Sequence, residues 1–424
     1  MVVLFRRQPS AAEIPPEGLT IVEVVKHRYV DCEFQPIVRL DRRDVVGYEA
    51  LARGPEGTPW QHPEVMFAAA EEAGLTWELD LTAHAAAFTA VARADLPAST
   101  SLFINADPSS LGKVVPEDLG RALVAAHPRV QVFMELSERA LCTDAGSTLA
   151  NVNKARSSGW GLSLDNVGVT LESLAMLPFV RPDVVKIDVS LVHQETHRHA
   201  ARVVDAITAH AQRSGASIMA LGIETEAHAR TARALGATLG QGFLFGRPGP
   251  LPKYPKTPAV PVPRLATPDG PEPRDTPFGL ATTGGPARPI TTTLFTELAG
   301  HLEQRAVLDP DPTMVLACLP RNTLPSGAPL AFLQLAARSA SFAAAVVADP
   351  PTHRLPDVRT VVLERTDPLR DELVLILVGP HFAAMLAARE RYAGRPDSGY
   401  DHRLVYDRDT VIRAAQVILR RITR

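Results

Sequence analysis

Apolar and polar positions follow two different periods along the first 250 residues. Short runs rich in Val, Ile, Leu and Phe recur at Glu33–Leu40, Val45–Ala50, Ser101–Ala106, Gln131–Leu136, Gly161–Asp165, Val184–Asp188, Ser217–Leu221 and Leu239–Phe243. Between them lie Ala-rich stretches whose apolar residues return every three or four positions, at Pro63–Ala73, Leu81–Ala94, Glu117–Ala126, Ala145–Ser157, Leu171–Leu177, Ala200–Arg213 and Glu226–Leu235. The first pattern predicts strands and the second helices. Eight strands with helical crossovers imply a parallel sheet, and about 225 residues suit a closed α/β barrel of the TIM-like (β/α)8 kind. One joint departs from that plan. Asp41-Arg42-Arg43-Asp44 is too short for a parallel crossover, so the first two strands are expected to run antiparallel.

The pattern then breaks. Thirteen of the chain's 37 prolines fall between Pro248 and Pro289. Proline fixes φ and removes a backbone donor, which excludes a long helix or a central strand. Residues 250–282 therefore read as an extended, semi-rigid linker, with a proline-rich docking peptide as the alternative. Beyond it, periodicity predicts helices at Thr292–Gln304 and Leu330–Ala340, strands at Ala344–Ala348, Arg359–Glu364 and Leu373–Val378, and helices at His381–Arg391 and Arg408–Arg421. The expected organisation is an N-terminal extension over 1–24, a barrel over 25–249, the linker, and a smaller α+β domain over 283–424.

Composition narrows the setting. With 46% hydrophobic and 21% charged residues in 424, the chain is of ordinary globular type. A formal net charge of -3 gives no reason to expect nucleic acid or an anionic membrane as partner. Cys32, Cys142 and Cys318 fit neither a zinc spacing nor a disulfide framework, which points to a reducing cytoplasm. The opening Met1-Val-Val-Leu-Phe-Arg-Arg lacks the order of a signal peptide, and no apolar run is long enough for a membrane span. Only six lysines stand against 38 arginines, which draws attention to Lys186.

The ends of the predicted strands carry the candidate chemistry. In such barrels these ends converge on one face, where active sites sit. Glu49, Asn105, Glu135 and Asp165 end four successive runs, followed by Lys186 in Val-Val-Lys-Ile-Asp and by Gln241 in Gln-Gly-Phe-Leu-Phe-Gly-Arg-Pro. Three carboxylates and an amide carbonyl form a hard oxygen set suited to Mg²⁺ or Mn²⁺. A lysine among them would balance charge or contact a phosphate or an attacking water, and Gly242 would let backbone approach a ligand. One acid at a strand end is ordinarily a loop cap or a solvated charge, so the argument rests on the series. Leu51 and Phe103 read as core, and no histidine has ligand spacing.

These residues resemble the EAL family, which hydrolyses cyclic di-GMP in bacteria. The matching motifs are Phe34-Gln-Pro-Ile-Val38, Tyr48-Glu-Ala-Leu-Ala-Arg53, Phe103-Ile-Asn105, Glu135-Leu-Ser-Glu138, Val185-Lys-Ile-Asp188 and Gln241-Gly-Phe-Leu-Phe-Gly-Arg-Pro248. The resemblance implies a barrel with an antiparallel strand, two divalent metals, and cyclic di-GMP laid across the rim. It implies that Glu49, Asn105, Glu135 and Asp165 hold the first metal and that Gln35 and Arg53 contact the nucleotide. It further implies that Lys186 serves the attacking water and that Gln241 completes the site. Residues 283–424 resemble the DICT sensory domain through Asp367-Pro-Leu-Arg-Asp-Glu-Leu373, Gly379-Pro-His-Phe-Ala-Ala384 and Val405-Tyr-Asp-Arg-Asp-Thr-Val-Ile-Arg-Ala-Ala415. This second likeness implies signal input or a protein contact. The apolar positions Phe382, Met385 and Leu386 read as core packing.

Two positions depart from the EAL pattern. Asn166 and Leu221 stand where the family has an aspartate and a glutamate, and the loop Gly168-Val-Thr-Leu-Glu-Ser-Leu174 differs as well. Both missing acids belong to the second metal and to water activation. Losing one electrostatic group that acts in a transition state costs on the order of 10²–10³ in rate. The sequence therefore favours a domain that binds cyclic di-GMP with little or no hydrolysis. Two alternatives stay open: an active phosphodiesterase, with Glu224 as the replacement acid, and a protein-interaction scaffold without nucleotide binding. A homodimer is open by analogy.

Overall fold

The structure, a computed structural model, describes residues 18–422 apart from 108–119, 121–129, 138–144, 170–171, 194–199, 254–255, 267–269, 309–310, 312, 322–336, 338–339, 341, 351–357 and 392–398. The chain start, Cys142, all but one residue of the Glu117–Ala126 helix expectation and most of Leu330–Ala340 lie outside the described residues.

Eight strands close a barrel in chain order: β1 (Asp31–Arg39), β2 (Val45–Arg53), β3 (Ser101–Asn105), β4 (Gln131–Ser137), β5 (Gly161–Val167), β6 (Val184–Ile187), β7 (Ser217–Ala220) and β8 (Leu239–Gln241). β1 runs against both neighbours, setting Gln35 opposite Glu49 and Ile37 opposite Gln241. The other pairings are parallel. The short turn after β1 enforces this reversal. Arg43 takes a left-handed φ of 60°, and its N–H returns to the Arg39 carbonyl at 2.8 Å.

Helices Thr76–Arg93, Ala145–Ser157, Ala200–Ser214 and Glu226–Ala234 appear where the 3.6-residue period predicts them. The Leu171–Leu177 expectation resolves differently. There the described chain forms a 3₁₀ turn, Glu172–Ala175, and then a four-residue helix, Leu177–Val180. Pro178 lies in the first turn of that helix, where its missing N–H does no harm.

The floor of the barrel is apolar. Ile37, Val46, Phe103, Phe133, Val184, Met219 and Leu239 fill it, and the Phe103 and Phe133 rings stack with centroids 4.7 Å apart. Val262, from the proline-rich stretch, belongs to the same cluster and is buried. That stretch has little regular structure, as its prolines require, but it is laid against the barrel. The Leu265 N–H donates to Asp183 Oδ1 at 2.5 Å, the other oxygen of Asp183 accepts from the Leu162 N–H at 2.6 Å, and Arg264 donates to the Gly159 carbonyl. Its last residues enter a helix, Pro277–Thr283, capped by Thr276.

The C-terminal part is built on a seven-stranded mixed sheet. The strands are β9 (Arg288–Ile290), β10 (Met314–Leu319), β11 (Phe342–Val347), β12 (Arg359–Val362), β13 (Glu372–Val378), β14 (Ala383–Glu390) and β15 (Tyr400–Val405), in spatial order β12-β11-β10-β13-β14-β15-β9. The helix expected over His381–Arg391 is instead strand β14, paired on both sides. Ala, Met and Leu favour helix in isolation. Here the residues are buried between neighbouring strands, and tertiary context overrides the propensity. Met385 and Leu386 are core as expected, but they face opposite sides of the sheet.

Helix Thr292–Leu308 covers one face of this sheet. Helix Arg408–Ile422 covers the other, and its buried residues surround most of its circumference. That distribution fits its position between the sheet and the barrel helices. A single apolar cluster runs from Leu164 and Val180, through Val411 and Ile418, to Leu316 and Ile376. No helix among the described residues is long and apolar enough to cross a membrane.

Candidate functional site

The rim gathers its polar residues around one lysine. Lys186, on β6, is 1% exposed. Its Nζ stands 3.1 Å from Glu49 Oε2, 2.9 and 3.0 Å from the two oxygens of Glu135, and 3.1 Å from Asp165 Oδ1. These acids come from β2, β4 and β5. An ammonium has three protons, so it cannot serve four oxygens with good geometry. Glu135 Oε1 and Asp165 Oδ1 are buried and lack an aligned hydrogen bond. The amide of Asn105 donates to Glu49 Oε1 at 3.3 Å.

Two glutamines extend the network. Gln241 Nε2 donates to Glu49 Oε2 at 2.7 Å and to Gln35 Oε1 at 2.9 Å. Gln35 Nε2 donates to the Gly246 carbonyl at 3.2 Å. Gln241 Oε1 is buried without a partner.

Three carboxylates around one buried cation leave an excess of negative charge. Burial, and after it the charge of Glu49, raises the Glu135 carboxyl well above the ordinary glutamate range. Burial also acts to raise Glu49. The Lys186 charge and hydrogen bonds from Gln241 and Glu135 outweigh it and hold Glu49 below its ordinary value. For Lys186, burial favours the neutral amine, but Glu135, Glu49 and Asp165 together keep it protonated well above the usual lysine range. A Glu135 carboxyl raised in this way holds its proton more readily, which offsets part of the excess charge.

Glu49, Asp165 and Lys186 open into a cleft of about 260 Å³ with Gln35, Leu221, Gly222, Glu224, Gln241, Gly242 and Phe243. That is smaller than the roughly 300–1,000 Å³ of a site that engulfs a drug-sized ligand, so a large ligand would lie across the open rim. Leu221 occupies the wall at the end of β7. Its loop is fixed from three sides. The Ile223 N–H donates to Gln241 O at 3.0 Å, the Leu244 N–H donates to Ile223 O at 3.0 Å, and the His193 ring bonds Gly222 O at 2.8 Å. Gly222 has φ 65°, and a side chain there would strike Val189. The absent side chain of Gly242, which lines the cleft, also makes room for the Ile223 backbone.

Four predicted residues do not line the cleft: Asn105 and Glu135 lie behind it in the network of Glu49 and Lys186, and Arg53 and Asn166 are turned elsewhere. Arg53 pairs with Glu33 at 2.8 Å and donates to its neighbour's carbonyl, Ala52 O. Asn166 is exposed, takes a left-handed φ of 55°, and donates to Asp165 Oδ2 at 2.9 Å. Sequence reasoning passed over Phe243, which lines the cleft 46% exposed with the Arg247 guanidinium 4.0 Å from its ring centre. Its position two residues after Gln241, in a glycine-flanked run, was the available signal. Among the described residues no three acidic, histidine or cysteine side chains form a ready-made cation cage. Lys186 Nζ already holds the space between the acids.

An α/β barrel with one reversed strand and a rim of carboxylates, amides and a lysine defines the class. Residues 22–248 match the EAL domain family, and the chain belongs to that family. Residues 281–391 match the sensory domain found in diguanylate cyclases and two-component systems, DICT. Among curated relatives, the chain is 29% identical over 261 residues to the cyclic di-GMP phosphodiesterase RocR of Pseudomonas aeruginosa, covering 58% of this chain and 63% of that protein. It is 31% identical over 227 residues to the probable cyclic di-GMP phosphodiesterase PdeD of Escherichia coli, covering 52% of this chain and 42% of that protein. The chain thus spans less than two thirds of these relatives. A solved structure of BlrP1 from Klebsiella pneumoniae with manganese and cyclic di-GMP is 28% identical, covers 52% of this chain and 56% of its own, and superposes with a TM-score of 0.46.

Proposed function

We propose that the barrel is a cyclic di-GMP receptor that hydrolyses its ligand slowly or not at all, and that the C-terminal domain tunes it. The ligand class follows from the named activity of the curated relatives. The observation that carries the loss of turnover is Leu221, an apolar side chain in the cleft wall whose loop is held by hydrogen bonds to Gln241 and His193.

The residues fit one hard divalent cation. Buried oxygens of Glu135, Asp165 and Gln241 lack aligned partners, and the acids exceed the lysine in charge. Glu49, Asn105, Glu135 and Asp165 would hold Mg²⁺ or Mn²⁺. Bound there, the ion would supply positive charge to a phosphate oxygen. A second ion is poorly served, since Leu221 offers no oxygen and Asn166 turns its amide toward Asp165.

In this reading Lys186 orients the carboxylates and presents positive charge to the phosphate, and Gln35 and Gln241 donate amide hydrogen bonds at the rim. Phe243, partly exposed with Arg247 over its ring, offers aromatic surface against which a base would stack. Arg53 would have to leave Glu33 to reach the nucleotide. Binding without turnover is the natural result when the ground-state contacts remain and the transition-state groups are missing.

One observation favours a second reading, an active phosphodiesterase. Glu224 lines the same cleft, three residues from Leu221, and brings a carboxylate to that wall. Titration calorimetry with cyclic di-GMP and Mg²⁺ tests the receptor reading. Saturable heat that disappears in Glu49→Ala is expected, and no heat at micromolar protein would overturn it. Chromatography after incubation with Mn²⁺ tests the second reading, which requires hydrolysis that is lost in Glu49→Ala.

A further inference from the structure

Helix Thr76–Arg93 carries two buried polar residues one turn apart, Asp80 and His84. Further along it, Ala87, Phe88 and Val91 pack with Leu102 and Ile104 of β3. A helix that feeds a parallel strand runs back along it, so the helix start stands beside the strand end. Asp80 and His84 therefore meet the exit of β3, where Asn105 enters the rim.

Three successive backbone groups of that exit are held. The Ala106 N–H donates to the Glu135 carbonyl on β4 at 3.0 Å. In the same planar peptide the Asn105 carbonyl points the opposite way, toward β2. The register between β2 and β3 has already ended there, at Ala50 opposite Ile104. The His84 ring takes the place of the missing strand, with Nε2 2.6 Å from the Asn105 carbonyl oxygen. A carbonyl only accepts, so Nε2 carries the hydrogen. The Asp107 N–H then donates to Asp80 Oδ2 at 3.4 Å, and Asp80 Oδ1 stands 3.6 Å from the same His84 nitrogen.

The anchor matters because Asn105 is exposed, so packing does not set the direction of its side chain. That direction follows from the backbone beneath it. Asn105 Nδ2 donates to Glu49 Oε1 at 3.3 Å, which leaves Oδ1 for a cation. Without His84 the Asn105 carbonyl would lose its partner, and the strand exit would be free to turn. We propose that His84, with Asp80 behind it, is a positioning residue: it fixes the exit of β3 so that the Asn105 amide is preset for Glu49 and for a divalent cation. This inference rests on the one-cation reading of the rim. Both residues act through the backbone, and neither lines the cleft. Outer partners that orient a metal ligand are typically worth about 10–100-fold in metal affinity.

The test is calorimetric titration of the full chain with Mn²⁺ alone, with no nucleotide present. His84→Leu should weaken Mn²⁺ binding about tenfold. His84→Gln, whose Nε2 can donate to the same carbonyl, should keep most of the affinity. The decisive comparison is with Asn105→Ala. If His84 acts through Asn105, the double variant His84→Leu/Asn105→Ala binds no more weakly than Asn105→Ala alone. A role confined to general stability would instead lower the affinity in both backgrounds. If His84→Leu does not fold, His84→Asn, whose shorter amide cannot reach the carbonyl, takes its place in both comparisons. Equal Mn²⁺ affinity in the wild type and the His84 variant, or losses that add in the double variant, overturn this inference and leave the one-cation reading intact. Absence of Mn²⁺ binding in the wild type overturns that reading, and this inference with it.

Discussion

Lys186 Nζ and Glu49 Oε2 lie 3.1 Å apart although their strands, β6 and β2, stand on opposite sides of the eight-stranded barrel. The pair spans the mouth, and Glu135 and Asp165 close around it. The lysine is therefore a structural counter-charge before it is anything else.

Replacing Lys186 with Met should expose that role. Removing one partner of a buried ion pair costs about 3–5 kcal/mol, because the remaining charges stay buried and uncompensated. The denaturation midpoint of Lys186→Met in chelator should drop accordingly, and Mg²⁺ or Mn²⁺ should restore part of the loss by occupying the same acids. A midpoint unchanged in chelator would mean the carboxylates are not held by this ammonium.

On the receptor reading, placing acids at Asn166 and Leu221 should raise turnover. Asn166→Asp and Leu221→Glu would each return a carboxylate worth on the order of 10²–10³ in rate. The double variant, assayed with Mn²⁺ and cyclic di-GMP by chromatography, is expected to hydrolyse at least about a hundredfold faster than the parent. Undiminished binding with no gain in rate would show that the altered loop after β5, and not the acids, limits the reaction.

His210 predicts an acid-sensitive fold. Burial pushes its folded value down to about 3, below the ordinary histidine value of 6.5. The unfolded chain therefore takes up a proton first, so the stability this residue contributes is present above pH 6.5 and falls as the pH drops toward 3. One fully linked proton changes stability by about 1.4 kcal/mol per pH unit. Urea denaturation between pH 7 and pH 4 should show a shallower acid decline for His210→Phe than for the parent. Parallel curves would rule out a buried neutral imidazole.

Val262 tests whether the proline-rich stretch is part of the barrel. A free spacer would tolerate Val262→Ala without change. A residue seated in the floor beside Met219 and Val184 should lose about 2 kcal/mol with its two methyl groups. The urea midpoint distinguishes the two outcomes.

The sequence by itself determined the barrel and most of its rim. Strand and helix periods are local properties, and each barrel strand registers its pattern within a few residues. The reversed strand was legible because a four-residue turn admits no crossover. Strand ends converge in any such barrel, so Glu49, Asn105, Glu135, Asp165, Lys186 and Gln241 could be grouped before their distances were known, while Gln35 entered only through the family resemblance. Only the tertiary structure decided what depends on neighbours distant in sequence. It turned the Ala-rich stretch expected as helix His381–Arg391 into β14, because burial between strands outweighs helix propensity. It set Arg53 on Glu33 and left Asn166 at the surface. It brought Val262 under the barrel and set Arg213 on the Pro380 carbonyl, contacts whose partners lie dozens to hundreds of residues apart. A period in the sequence fixes which face of an element is apolar. What that face meets is fixed only when the whole chain has closed on itself.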